Sequence, residues 1–254
     1  LLVGILLLSL SWRTVLFLNL IPGIVIALVL WKYLFGKLDS LAERKKGISA
    51  REYLAGMKQL AQNPSILLLV LVAGMRSMTQ QGLHVFLPIY LTNELGLSSA
   101  LAGLYLSVTQ TAGMIGTPIA GGISDRSGRK RVLTAGLFST SVVLFVLAYF
   151  QLNWFFITGL AFLGFFLYAV RPVIWAWVLD LSPKELGGST VSFFSGAQSL
   201  LSSLSPVICG FIADRWGILT AFYFLAGTVL VANLIVLAIR EENKVAPALV
   251  EEPA

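Results

Sequence analysis

The chain has 254 residues, of which 57% are hydrophobic and 12% charged, and its mean hydropathy of +0.86 exceeds what a soluble domain of this length buries. A net charge of +6 does not point to nucleic acid, because the basic residues sit in loops and are not interleaved with stacking aromatics along a groove. The single cysteine, Cys209, excludes an intrachain disulfide and a cysteine-based metal cluster, and inside an apolar block it reads as a small packing residue.

The apolar residues come in blocks of about 20, the length a helix rising ~1.5 Å per residue needs to cross a ~30 Å hydrocarbon layer. Residues 1–10, LLVGILLLSL, read as the outer end of a helix begun upstream, since they lack a signal peptide's basic region and cleavage site. The chain is therefore expected to be a fragment. Seven full blocks follow, at approximately 15–35, 65–91, 100–123, 131–150, 154–180, 188–213 and 218–239.

The connection 36–63 is the longest and most charged. Within it Ser49 and Glu52 form an S-x-x-E capping box ahead of Tyr53, Leu54, Met57 and Leu60, which predicts a short amphipathic helix at the cytoplasmic surface. Asn63 and Pro64 read as N-cap and first-turn residue of the next membrane helix. The tail 241–254 is short and acidic, the composition of a disordered end.

Lys and Arg concentrate in cytoplasmic loops, so their distribution sets orientation. Lys37, Arg44, Lys45, Lys46, Arg51 and Lys58 share one connection, Arg126, Arg129, Lys130 and Arg131 a second, and Lys184, Arg240 and Lys244 fall on the same side. Loops on the other side contribute Arg13 and Arg215, while Lys32, Arg76 and Arg171 lie inside blocks. Every second loop is basic, which places the C-terminus in the cytoplasm of a multi-pass protein, with the plasma (inner) membrane as its expected location.

Gly121-Gly-Ile-Ser-Asp125-Arg126-Ser-Gly128 recurs as Gly210-Phe-Ile-Ala-Asp214-Arg215-Trp-Gly217, both reading G-x-I-x-D-R-x-G. The copies are separated by three crossings and so lie on opposite faces. Each ends the second helix of a triplet, 65–150 or 154–239, a 3+3 inverted repeat of the kind that builds secondary transporters. The alternative is a common helix-exit turn that arose twice.

On these residues the chain resembles the major facilitator superfamily: GGISDRSGRKR is similar to that family's loop between the second and third helices of a half. LSWRTVLFLNLIPG at 10–23 is similar to the start of its sixth helix, and Gly113, Gly116, Pro118 and Gly121 form a matching glycine-rich approach. The resemblance implies an all-α membrane bundle. Residues 1–35 would end the N-terminal half, 36–63 would be the central cytoplasmic loop, 64–240 the C-terminal six-helix half and 241–254 a tail. It also implies that most of the N-terminal half is absent from this sequence.

Asp125 and Arg129 stand four residues apart at the membrane edge, and Asp180 closes a helix on the same side. With Gly121, Arg126 and Gly128 they form a candidate conformational latch, as the resemblance implies; the alternative is that the basic cluster only obeys topology. Arg76 and Arg171 lie deep in the bilayer, ~18 Å and ~14 Å from the cytoplasmic ends of their helices. An arginine there costs about 2.5–3.5 kcal/mol on insertion scales, which calls for a watery cavity or a partner.

Arg76, Ser77, Gln80, Gln81 and His84 share an arc of about 140° at 100° per residue. Tyr168, Arg171 and Trp175 share a stripe beside Pro172, and Gln110 is a further candidate on the 100–123 block. Ser195, Gln198, Ser202 and Ser205 form a milder stripe, better read as helix packing. Two cavity arginines favour an anionic substrate group, since guanidinium offers forked donors to carboxylate or phosphate. His84 is the only histidine and a candidate for proton coupling.

The leading expectation is secondary active transport of a small solute by alternating access, coupled to an ion such as the proton, with lipid and the missing half as partners. The alternatives are a non-transporting receptor or scaffold retaining the fold, or drug efflux with a non-anionic substrate. An enzyme is not expected: there is no catalytic set, metal-ligand cluster or cofactor motif, and the missing G-x-x-x-x-G-K-[ST] argues against an ATP-driven pump.

Overall fold

A computed structural model describes residues 11–42, 56, 58, 60–149, 154–182 and 186–239. The opening segment 1–10, the capping box with Tyr53, Leu54 and Met57, and the tail 241–254 lie outside the described residues. The expected blocks form helices α1 (Trp12–Ala42), α2 (Pro64–Ile89), α3 (Ser99–Ser127), α4 (Arg129–Tyr149), α5 (Trp154–Asp180), α6 (Gly187–Ser203), α7 (Ser205–Trp216) and α8 (Ile218–Ala238).

Local chemistry sets where they start and stop. The Asn63 side chain accepts the N–H groups of Ser65 at 2.9 Å and Ile66 at 3.3 Å, and Pro64 begins α2 without wasting an amide. At the far end of α2 the chain continues as a π turn, Tyr90–Glu94, where the Leu95 N–H reaches the Tyr90 carbonyl at 3.1 Å. The block expected over 188–213 is divided in two, because Pro206 brings no N–H and Leu204 closes α6 through a tighter bond to Leu201. The hydroxyl of Ser205, the first residue of α7, then donates to the Met78 carbonyl of α2 at 2.6 Å.

The two G-x-I-x-D-R-x-G copies share a backbone geometry. Gly128 and Gly217 take φ of +95° and +88°, and their N–H groups bond Ser124 and Ala213 at 3.1 and 2.9 Å. Each glycine lets its helix end and the next begin at once, a conformation a side chain would strain.

Among the described residues six spans are long and apolar enough to cross a membrane: 13–33, 64–94, 129–149, 155–180, 187–216 and 218–238. The seventh expected block forms α3, whose 29 residues include Thr109, Gln110, Thr111 and several glycines that lower its apolar character. Two of those glycines, Gly113 and Gly116, serve close packing against α5. A Cβ on Gly164 of α5 would lie 2.0 Å from the Thr109 carbonyl oxygen of α3, and one on Gly116 would lie 2.7 Å from that of Phe165. Membrane helices approach this closely where small residues face one another.

Helix pairing follows the two triplets, α2-α3-α4 and α5-(α6/α7)-α8. The second helix of each packs on the first of the other, α3 on α5 and α6 on α2; the third of each also does, α4 on α5 and α8 on α2; and α4 meets α8. Exchanging the triplets maps each contact onto another, as a two-fold relation requires. One apolar core gathers Leu69, Leu133, Val173 and Val236 and the other Leu87, Leu144, Leu160 and Leu225. Between them lies a buried polar layer of Arg76, Thr79, Thr140, Ser141 and Thr228. Two of its hydroxyls are satisfied across helices, Thr79 donating to Leu225 O at 3.2 Å and Ser141 to Ala226 O at 3.0 Å, while Thr140 and Thr228 donate to Gly136 O and Phe224 O of their own helices. Helix α1 is unlike the rest: of its described side chains only Val15 is buried.

Candidate functional site

Helices α2, α3 and α5 enclose a cavity of ≈ 180 Å³ lined by Leu83, His84, Leu87, Leu106, Thr109, Gln110, Leu163, Leu167 and Tyr168. Its polar centre is the Tyr168 hydroxyl, 2.7 Å from His84 Nε2. Gly113 on α3 makes this ring position possible, since a Cβ there would lie 2.5 Å from Tyr168 Cδ2.

Arg76 does not open onto this cavity. It is 1% exposed, its Nε and Nη2 donate to the Leu167 carbonyl at 3.0 and 2.7 Å, and its guanidinium carbon lies 6.0 Å from the Tyr168 ring centroid. The charge is thus held by a backbone dipole and an aromatic face. Arg171, one turn beyond Tyr168, is exposed. Both arginines border a narrow cleft with Ala73, Ile174, Trp175, Phe194 and Gln198, in line with their similar expected depths. Trp175 stands edge-on to Phe194 with centroids 4.8 Å apart.

The polar arc of α2 is divided by this packing. Arg76 and Ser77 are buried, Gln80 is half-buried, and Gln81 and His84 are exposed. Ser77 accepts a hydrogen bond from Gln198 of α6, so part of the serine stripe binds α6 and α7 to α2. The cavity leucines and Thr109 had no signal of their own in the sequence, being ordinary members of apolar blocks. The closest approach of α3 to α5, at Gly113, Gly116 and Gly164, was the available clue.

The second predicted constellation is assembled at the basic end. Arg129 pairs with Asp125 at 2.5 Å and with Asp180 at 3.2 Å, and its Nη1 donates to Ser124 Oγ at 2.7 Å. One guanidinium therefore ties α3, α4 and α5, while Arg126 is exposed and Gly121 leaves open space where a Cβ would stand. Lys130, expected only to mark orientation, also caps α8 by donating to the carbonyls of Leu237 at 3.0 Å and Ile239 at 2.5 Å.

Comparison with known proteins joins these features to a family. The family model described as Major Facilitator Superfamily matches residues 69–254. The multidrug resistance protein MdtG of Klebsiella pneumoniae (strain 342) is 33% identical over 163 residues, covering 62% of this chain and 39% of that protein. The probable galactarate/D-glucarate transporter GudP of Pseudomonas putida is 31% identical over 140 residues, covering 52% of this chain and 30% of that protein. The chain thus spans well under half the length of these relatives. Among solved structures, the E. coli fucose:proton symporter FucP superposes with a TM-score of 0.64 at 20% identity, over 76% of this chain and 46% of that one. Family model, paired helix triplets and signature loop agree that the chain belongs to the major facilitator superfamily.

Proposed function

We propose that the complete protein moves a small solute across the membrane by alternating access, with the cavity of α2, α3 and α5 as this half's share of the binding site. The observation that carries this reading is the wall formed by His84, Gln110 and Tyr168, with exposed Arg171 one turn away on α5. In this reading residues 64–240 are the C-terminal half, 36–63 the cytoplasmic seam and 241–254 a cytoplasmic tail. The N-terminal half would supply the opposite wall and leave α1 packed against it.

An anionic substrate follows from Arg171, because its exposed guanidinium offers forked donors to a carboxylate or phosphate. His84, bonded to Tyr168 at 2.7 Å, is the group through which a proton gradient would be coupled. Asp125, Arg129 and Asp180 would act as a latch, holding α3, α4 and α5 together in one access state and releasing them in the other. The second reading, efflux of a lipophilic non-anionic compound, is supported by the five leucines that line the cavity and by the likeness to MdtG.

Transport assays of the complete protein in membrane vesicles separate the two. Proton-dependent uptake of D-glucarate that is lost on Arg171→Gln is expected from the anion reading. Movement of ethidium that is indifferent to Arg171→Gln favours the second reading, and movement of neither substrate by any route tested removes the assignment to either class.

A further inference from the structure

Arg76 is, by volume, the largest fully buried side chain among the described residues. A side chain that contacts substrate has to present donors to the cavity, yet Arg76 turns Nε and Nη2 to a single backbone oxygen, that of Leu167. This carbonyl belongs to the residue immediately before Tyr168. Four residues beyond Tyr168 stands Pro172, which has no N–H to return to the Tyr168 carbonyl. The hydrogen-bond ladder of α5 is therefore interrupted at the residue whose hydroxyl projects into the cavity, and Arg76 grips the backbone beside the gap.

The other end of Tyr168 is held from the same helix. His84 lies eight residues beyond Arg76, roughly 12 Å along α2, and meets the Tyr168 hydroxyl at 2.7 Å. The Arg76 guanidinium also faces the ring, 6.0 Å from its centroid, and Gly113 of α3 leaves room for the ring's base, where an added Cβ would lie 2.5 Å from Tyr168 Cδ2. Tyr168 is thus fixed at its backbone, its face and its tip, twice by Arg76.

We propose that Arg76 is a positioning residue: by gripping the Leu167 carbonyl across the α2–α5 interface it sets the depth and rotation of Tyr168 in the cavity, and it touches no substrate. This rests on the reading of the cavity as a substrate site only for its consequence in transport. The geometry itself is open to a test that needs no substrate.

The test uses the complete protein in liposomes, free of other cysteines, with Tyr168→Cys or, as control, Gln110→Cys. Each is labelled with a negatively charged and a positively charged methanethiosulfonate of similar size. Loss of a hydrogen bond to a charged donor is expected to change both labelling rates at residue 168 in the same direction, by about tenfold, in Arg76→Met. Rates at residue 110 should stay as they were, and Arg76→Lys, which still donates to the carbonyl, should bring residue 168 back towards its original rates.

If Arg76 acts as a cavity charge, its removal slows the anionic reagent and speeds the cationic one. Such opposite shifts overturn the proposal, and so do unchanged rates at residue 168. Arg76→Gln keeps an N–H donor without charge and covers the case in which Arg76→Met does not fold: near-original rates for both reagents support positioning, and opposite shifts refute it. Glucarate transport lost in Arg76→Met without any change in labelling would end the positioning role and leave the transport reading standing.

Discussion

Arg76 of α2 holds the carbonyl of Leu167 of α5 through two nitrogens, at 3.0 and 2.7 Å. The bond joins the first helices of the two triplets at the level where the buried polar layer divides the two apolar cores. A cation buried in lipid is tolerated when donors find acceptors inside the protein, and here the acceptor is main chain.

Arg171 is exposed, so changing it should spare the fold and alter only what the cavity binds. If the proposed anion reading holds, removing a charged donor from the anion should cost about 1.5–3 kcal/mol, roughly a ten- to hundredfold rise in the KM of the transported anion. Uptake kinetics of Arg171→Gln at matched protein levels check this, and an unchanged KM would separate Arg171 from the substrate.

His84 and Tyr168 share one hydrogen bond, which gives coupling a structural signature. In His84→Asn, uptake driven by a pH gradient should fall at least severalfold while substrate exchange without a gradient persists. Tyr168→Phe should show the same separation more weakly, since the imidazole remains. Equal losses of driven uptake and exchange would instead indicate damage to binding.

Asp125 and Arg129 have side chains 63% and 22% exposed, and a pair this open to water contributes only about 0–1 kcal/mol. Asp125→Asn should therefore leave the thermal midpoint nearly unchanged. It should still move the balance of access states by up to about fivefold, the population equivalent of that energy. Cysteine labelling from the two membrane faces reads the shift, and identical labelling in wild type and Asp125→Asn would count against a latch.

Gly164 is the tightest point of the α3–α5 interface, where an added Cβ would meet the Thr109 carbonyl at 2.0 Å. Backbone cannot give way as a flexible side chain does, so Gly164→Ala should destabilise by about 1–3 kcal/mol, as overpacking does elsewhere. Thermal unfolding in detergent should show a lowered midpoint. Gly103→Ala, with open space around the added Cβ, is the control expected to show none.

What was legible in the sequence was what neighbouring residues decide among themselves. In lipid each backbone polar group has to be satisfied within its own segment, so apolar blocks alone predict seven spans, but the division of the 188–213 block into α6 and α7 at Leu204 was not among them. The Asp125–Arg129 pair is likewise local, four residues apart across a helix junction. Gly128 and Gly217 were visible as a repeated motif because a positive φ demands a particular residue type.

Contacts between helices carry no such mark. Arg76 was readable as a deep charge in need of a partner, but its partner is the main-chain oxygen of Leu167, an acceptor every residue possesses and no sequence pattern distinguishes. Whether the polar arc of α2 faced a cavity or a neighbour depended on how α2 is rotated against α5 and α6. Packing settled that rotation by burying Arg76 and Ser77 and leaving Gln81 and His84 exposed. The spans and their turns were determined by the sequence itself; the joining of His84 to Tyr168, of Arg129 to Asp180 and of Arg76 to Leu167 was decided only by tertiary structure, because each depends on side-chain volumes distant in the chain meeting at one interface.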